Sequence, residues 1–225
     1  MFFPWVGMLE QLKAADTYVH YDDVQFSKGS FTNRVQVKTA AGVKWLTVPL
    51  EDVRLGMLIK DVRVDSKRDW RRSHLDLLRQ AYKGATEMLE VVERVYAVQT
   101  PWLCEVAMVS MMTLADVFGV RPKRELVSSQ LGIGGHGTGR VLEVVKSLGG
   151  TRYVSGAGGK AYLDHAAFAA QGISVEYMEY AKRPYAQAHG EFTPFVSALD
   201  VLASVGPTEG KRLFVSTTIP WKEAA

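Results

Sequence analysis

Apolar residues at Met8, Leu9, Leu12 and Ala15 recur at helical spacing and predict a short helix over residues 7–16. TYVHY (17–21) is β-branched and aromatic and predicts a strand. RVQVK (34–38) alternates apolar and polar positions with period two, TAAG reads as a turn, and KWLTVPL (44–50) reads as the return strand of a hairpin. LIKDVRVD (58–65) predicts a further short strand. At Ser66 the period changes. Ser66 with Asp69 resembles a capping box, and Trp70, His74, Leu77, Leu78 and Tyr82 follow at helical spacing. ATEMLEVVERVYAVQ predicts a second helix, and PWLCEVAMVSMMTLADVFG a third, with Pro101 at its opening and Gly119 at its end.

The last third alternates. ELVSSQ (125–130), TRYVSG (151–156) and ISVEYMEY (173–180) read as strands, with helices over 136–150 and 159–172 between them. That rhythm predicts parallel pairing with crossover helices. FTPFVSALDVLASVG (192–206) predicts an amphipathic helix, and FVSTTIPWKEAA a loop or tail. The expected fold class is α/β: a mostly parallel, Rossmann-like sheet with a β-hairpin excursion and a helical layer. No repeat, low-complexity tract or linker divides the chain. One domain over 1–225 is expected, with the three-helix segment 66–119 as an insertion or layer.

Composition bounds the rest. The chain has 225 residues, is 47% hydrophobic and 23% charged, and carries a formal net charge of +3. Chains of this length bury roughly 70% of the surface they expose when unfolded. The charges are mixed along the chain, so nucleic acid is not an expected partner. The single cysteine, Cys104, excludes an internal disulfide and a multi-cysteine metal site, and its apolar helical setting predicts an inert core thiol. The apolar start lacks a basic lead and a long h-region, and no run approaches the roughly 18 apolar residues of a membrane span. A cytoplasmic location is expected.

Candidate chemistry gathers in VHYDDVQFSKGSFTNR (19–34). Asp22 and Asp23 close an apolar strand, where ligands sit in open parallel sheets. Side chains alternate across a strand, so one acid points into a given site unless the strand has ended. Such acids act as a base or hold a divalent cation. Gln25, Asn33 and Arg34 add groups suited to a hydroxylated or anionic ligand. A solvated loop with an Asx-turn is the plainer reading.

Gly132, Gly134 and Gly137 literally satisfy G-x-G-x-x-G. The acid required about 20 residues on, at the end of the next strand, is missing. NAD or FAD is therefore not expected, and anion binding aided by Arg140 is the better reading. SGAGGKAYLD (155–164) runs from a strand end into a helix start, so Lys160 and the N–H groups at Gly158 and Gly159 form a candidate phosphate or carboxylate seat. A glycine turn with a surface lysine is the alternative. His74 is a structural histidine or an acid/base candidate. His20, His136, His165 and His189 show no metal-ligand spacing, so no metal residues are assigned. KRDWRR (67–72) reads as a solvated helix start, with an RNA or pyrophosphate contact as the alternative.

FPWVGMLEQLKAADTYVHYDDVQFSKGSFTNRVQVKT, KWLTVPL, DWRRSHLDLLRQAY, YVSGAGGKAYLD and PYAQAHGEFTPFVSALDVLASVGP together resemble the WbqC-like protein family, in collinear order over most of the chain. The chain departs from the family pattern at its start: members carry an extra strand and a Gln-Pro ahead of the FPW stretch, and this sequence opens Met1-Phe2-Phe3-Pro4. A ligand-binding group on that strand would be missing here. Family members occur mainly in bacterial polysaccharide and O-antigen gene clusters. The resemblance implies a transferase modifying an amino sugar or nucleotide-linked sugar, with acyl or aminoacyl (glycyl) transfer as the suggested reaction. It places recurrent polar residues at Asp22, Asp23, Gln25, Asn33, Arg34 and His74, and at Ser155, Gly156, Gly159, Lys160, Tyr162 and Asp164. A later segment matches at Tyr185, Gln187, Phe192 and Asp200. Asp22, Asp23 and His74 are the catalytic candidates, and Gln25, Asn33, Arg34, Ser155, Gly156, Gly159, Lys160, Tyr162 and Asp164 are the substrate-binding candidates, the two groups being expected round one cavity. The alternative is a non-catalytic module docking a partner enzyme of the same pathway through Trp70, Trp102 and Trp221, or self-associating as a homo-oligomer.

Overall fold

A computed structural model describes residues 1–224. The chain divides into two compact units. The first comprises Met1–Leu9, Asp22–Arg121 and Lys182–Phe214; the second comprises Glu10–Tyr21, Pro122–Ala181 and Val215–Ala225.

In the first unit β2 (Arg34–Thr39) and β3 (Gly42–Thr47) form the expected antiparallel hairpin, with Arg34 opposite Thr47. Val35, Val37 and Leu46 are buried, so one face of the hairpin lies on the core while Trp45 remains partly in water. Helices α2 (Trp70–Ala81), α3 (Thr86–Tyr96), α4 (Leu103–Val117) and α7 (Ala198–Leu213) pack on one another, and α2 and α7 touch β2. Asp69, rather than Ser66, caps α2, its side chain accepting from the backbone N–H of Arg72. Phe2 and Phe3 are fully buried, each burial stabilising by roughly 1.5–3 kcal/mol. The predicted strand 58–65 shrinks to β5 (Arg63–Val64), paired with β4 (Leu50–Glu51), after one 3-10 turn at Ile59–Asp61. The last long helix begins at Ala198, six residues later than the pattern suggests, because Ser197 supplies the cap by accepting from Leu199 N–H.

The second unit holds the parallel pairings. β1 (Thr17–His20) pairs with β6 (Arg124–Val127), and β7 (Arg152–Ser155) with β8 (Ser174–Met178). These pairs belong to separate small sheets rather than one extended sheet. The supposed tail contributes β9 (Thr218–Pro220), antiparallel to β8. α5 (Gly137–Ser147) forms as expected. The helix expected over 159–172 breaks into a 3-10 segment, Ala157–Ala161, and a short α6, His165–Ala169. Phe168, Val175 and Tyr177 centre a core that Val141 of α5 and Ile173 complete. The remaining helix, α1 (Val6–Ala14), contains the boundary between the units.

Candidate functional site

The sequence-predicted residues fall into two sets, one in each unit. Ser155, Gly156, Gly159, Lys160, Tyr162 and Asp164 lie in the second unit, at the carboxyl end of parallel strand β7. The glycines there follow from packing. A Cβ on Gly159 would overlap the Ser155 hydroxyl and stand 3.0 Å from Leu163 Cδ1; a Cβ on Gly156 would stand 3.2 Å from the Tyr180 hydroxyl. The constraint is one of space, and it is tightest at Gly159. The bend is fixed from outside by Thr138 in the first turn of α5. Its hydroxyl donates to the Tyr162 carbonyl at 3.0 Å and accepts from the Asp164 N–H at 2.9 Å. The two glycine-rich stretches, separate in sequence, are therefore held together.

Around this bend stand cations and phenols. Lys160 Nζ lies 5.5 Å from the centre of the Tyr177 ring. Arg140, largely buried, donates from Nε to the Ile133 carbonyl at 3.1 Å and holds its guanidinium 5.1 Å from the Tyr21 ring. Burial pushes the Tyr153 phenol well above its ordinary value, assisted by the neighbouring Tyr162 and Tyr21 and opposed by a hydrogen bond with Ser155. Asp164 is occupied as the cap of α6, accepting from Ala167 N–H at 3.1 Å. Its carboxylate thus supports the bend. The Gly159 N–H, expected in an anion seat, is instead spent on the Gly156 carbonyl at 3.0 Å, so what the bend offers an anionic, hydroxylated ligand is chiefly its cationic and hydroxyl side chains. The glycines of 132–139 do not make a dinucleotide turn: β6 ends at Val127 and α5 starts only at Gly137, with a 3-10 turn at Ser128–Gln130 in between.

Asp22, Asp23, Gln25, Asn33, Arg34 and His74 lie in the first unit. The segment carrying the acids runs beside residues 57–60. The Lys60 N–H donates to the Asp22 carbonyl, Ile59 N–H to Val24, and Phe26 N–H to Met57, while Gln25 bridges Leu58. Asp22 is buried, and its charge contributes to raising the Cys104 thiol. Burial is the larger cause, and together they push that thiol to about 11, making it a poor nucleophile. Gln25 is exposed. Asn33 is buried, donates to the Val48 carbonyl at 3.1 Å, and leaves its Oδ1 without a hydrogen-bond partner.

His74 is closed. Its Nε2 faces the Thr47 carbonyl at 3.2 Å and must donate, so in the neutral ring Nδ1 accepts from the Tyr96 hydroxyl at 2.8 Å. Burial lowers its pKa to about 4. A buried imidazole with both nitrogens engaged holds structure together and has no ring nitrogen left for acid/base work. Trp70, named for a docking surface, is buried against His74 and Tyr96. In the basic run, Arg68 pairs with Asp65 and Arg72 with Asp76, so those charges are locally balanced.

A further polar cluster in the first unit gathers Asp200, Tyr185 and Gln187, which the family resemblance singled out, with Tyr82 and Lys38, which sequence reading missed. Asp200, fully buried, accepts from the Tyr82 and Tyr185 hydroxyls at 2.8 Å each. Tyr82 in turn accepts from the Lys38 backbone N–H, and Lys38 Nζ donates to Gln187 Oε1 at 3.1 Å. The resemblance in the later segment was its only signal. Among the described residues no group of three or more His, Cys, Asp or Glu side chains is placed to hold a metal ion. No described helix is long and apolar enough to cross a membrane.

These features sit in a mixed α/β chain whose described residues form seven α-helices and several small sheets, two of them with parallel pairs. The sequence model of the WbqC-like protein family matches residues 1–212, and the chain belongs to that family. It is 28% identical over 219 residues to "Uncharacterized protein Rv1507c" of Mycobacterium tuberculosis (strain ATCC 25618 / H37Rv), covering 91% of this chain and 90% of that protein. No solved structure matches the chain.

Proposed function

We propose that this protein is a transferase of bacterial surface polysaccharide (O-antigen-type) biosynthesis, acting on an amino sugar or a nucleotide-linked sugar by acyl or aminoacyl transfer. The observation that carries this reading is the glycine–lysine bend after β7, braced by Thr138. The second unit works in a Rossmann-like manner, binding beyond the carboxyl end of a parallel strand. Lys160 seats an anionic group such as a donor phosphate, and Ser155 and Tyr162 bond its hydroxyls. Taken by itself, the first unit offers Asp22 or Asp23 as a base, which would accept the proton lost by an attacking amine or hydroxyl as its bond to the acyl carbon forms and the leaving group departs with the electron pair. Asn33 and Arg34 orient the substrate, and His74 positions the end of β3. Family membership supports the polysaccharide setting.

A thermal-shift screen with nucleotide-linked sugars, a UDP-amino sugar among them, tests this reading. Stabilisation that is lost in Lys160→Ala and Asp23→Asn, with both variants folded, is the expected result. No stabilisation by any nucleotide sugar, or stabilisation kept in both variants, overturns it.

A further inference from the structure

From Val24 through Leu50 the chain contains Lys28, Arg34, Lys38 and Lys44 and no aspartate or glutamate. Lys38 Nζ is fully engaged, donating to Gln187 Oε1 and to the Gly190 and Glu191 carbonyls. Arg34 is not. Its guanidinium carbon lies 4.1 Å from the centre of the Trp45 ring. Gly29, at φ +76, passes so close that a Cβ there would stand 3.1 Å from Arg34 Nη2. The guanidinium is therefore held in one orientation by a ring and a side-chain-free backbone. Its Nε is buried without an acceptor, and among the described residues no carboxylate pairs with it. Beside it Phe31 and Trp45, 46% and 40% exposed, set their rings 6.0 Å apart at a tilt of 42°.

A fixed fork of N–H donors without a counter-charge recognises a planar oxyanion in two-point fashion. Aromatic faces left in water next to it take an apolar C–H surface. A pyranose bearing a carboxylate or a phosphate presents both. We propose that Arg34, Trp45 and Phe31 form a subsite for an acidic sugar, its oxyanion on the Arg34 guanidinium and its ring face on the two aromatics. This deepens the transferase reading, on which it rests for its role, by naming the substrate as an anionic sugar. An anionic membrane surface would also meet cations and aromatic rings. The single pinned guanidinium, with its Nε–H out of water, fits a small oxyanion better than a sheet of headgroups.

Isothermal titration of the full chain with glucuronate, glucose 1-phosphate and glucose tests the subsite, the two acids separating carboxylate from phosphate. At least one acid binds and glucose does not. Arg34→Gln weakens that binding at least about tenfold, and Arg34→Lys, which keeps the charge and loses the fork, falls between. Trp45→Ala, a change at a partly exposed ring, weakens it about fivefold with the melting temperature preserved. Equal binding of glucose, undiminished binding by Arg34→Gln and Arg34→Lys, inorganic phosphate matching the sugar acids, or Arg34-dependent binding only to phosphatidylglycerol vesicles would each overturn the proposal. Binding of glucuronate through Arg34 in a protein that no nucleotide sugar stabilises would leave the subsite standing and remove the transferase.

Discussion

His74 accepts the Tyr96 phenol proton on Nδ1 at 2.8 Å while its Nε2–H is committed to the Thr47 carbonyl. An ordinary histidine takes up its proton near pH 6.5; here burial lowers that value to about 4. The unfolded chain therefore binds a proton that the folded chain refuses between those two values. This contribution leaves stability untouched above pH 6.5 and removes up to about 3 kcal/mol as pH falls from about 6.5 to about 4. Urea midpoints measured across that window should drop steeply in the native sequence and less so in His74→Gln. Equal slopes in the two proteins would show that His74 is not the group responsible.

Tyr82 and Tyr185 both donate to Asp200, yet their loss is not equivalent. Tyr185→Phe deprives the buried carboxylate of one charge-assisted bond and frees Gln187 Nε2 from one of its two acceptors, costing about 1–3 kcal/mol. Tyr82→Phe also strands the Lys38 backbone N–H, a buried donor, and should cost more by about 1 kcal/mol or above. Chemical denaturation of both variants checks the order; a more stable Tyr82→Phe would contradict it.

Adjacent glycines in the bend should respond unequally to the same substitution. Gly159→Ala pushes a methyl into Ser155 and Leu163 and is expected to destabilise by about 2 kcal/mol or more. Gly158 has nothing within 4 Å of a built Cβ, and Gly158→Ala should stay within about 0.5 kcal/mol of the parent. Comparable melting temperatures for the two variants would mean the bend is looser than described.

The Cys104 thiol, pushed to about 11 chiefly by burial and then by Asp22 and Glu105, should react with Ellman's reagent at pH 8 at least about tenfold more slowly in the folded protein than in urea. Asp22→Asn removes one of the named charges, so the folded thiol should react faster than in the parent. An unchanged rate would separate the Asp22 carboxylate from Cys104.

Much of the local structure was readable in advance. The β2–β3 hairpin announces itself because a period-two pattern can bury only one face of a strand. The helices α3 and α4 follow from apolar residues three and four apart, as the buried Met88, Val92 and Val95 show. Other elements were not readable. β9 has three residues and ends in proline, and only pairing with β8 makes it a strand. The break after Ala161 depends on Thr138, 24 residues before Tyr162, to whose carbonyl it donates.

The sequence by itself determined the family, the hairpin and the helices α3 and α4, because these depend on residue identity and on spacing within a turn or two. Tertiary structure alone decided how the polar residues are held. It enclosed His74 among Thr47, Trp70 and Tyr96, joined two distant glycine stretches through one threonine hydroxyl, and left Arg34 without a counter-charge among the described residues. A side chain's proton affinity and free donors depend on neighbours that may lie a hundred residues away, and no local pattern records who they are.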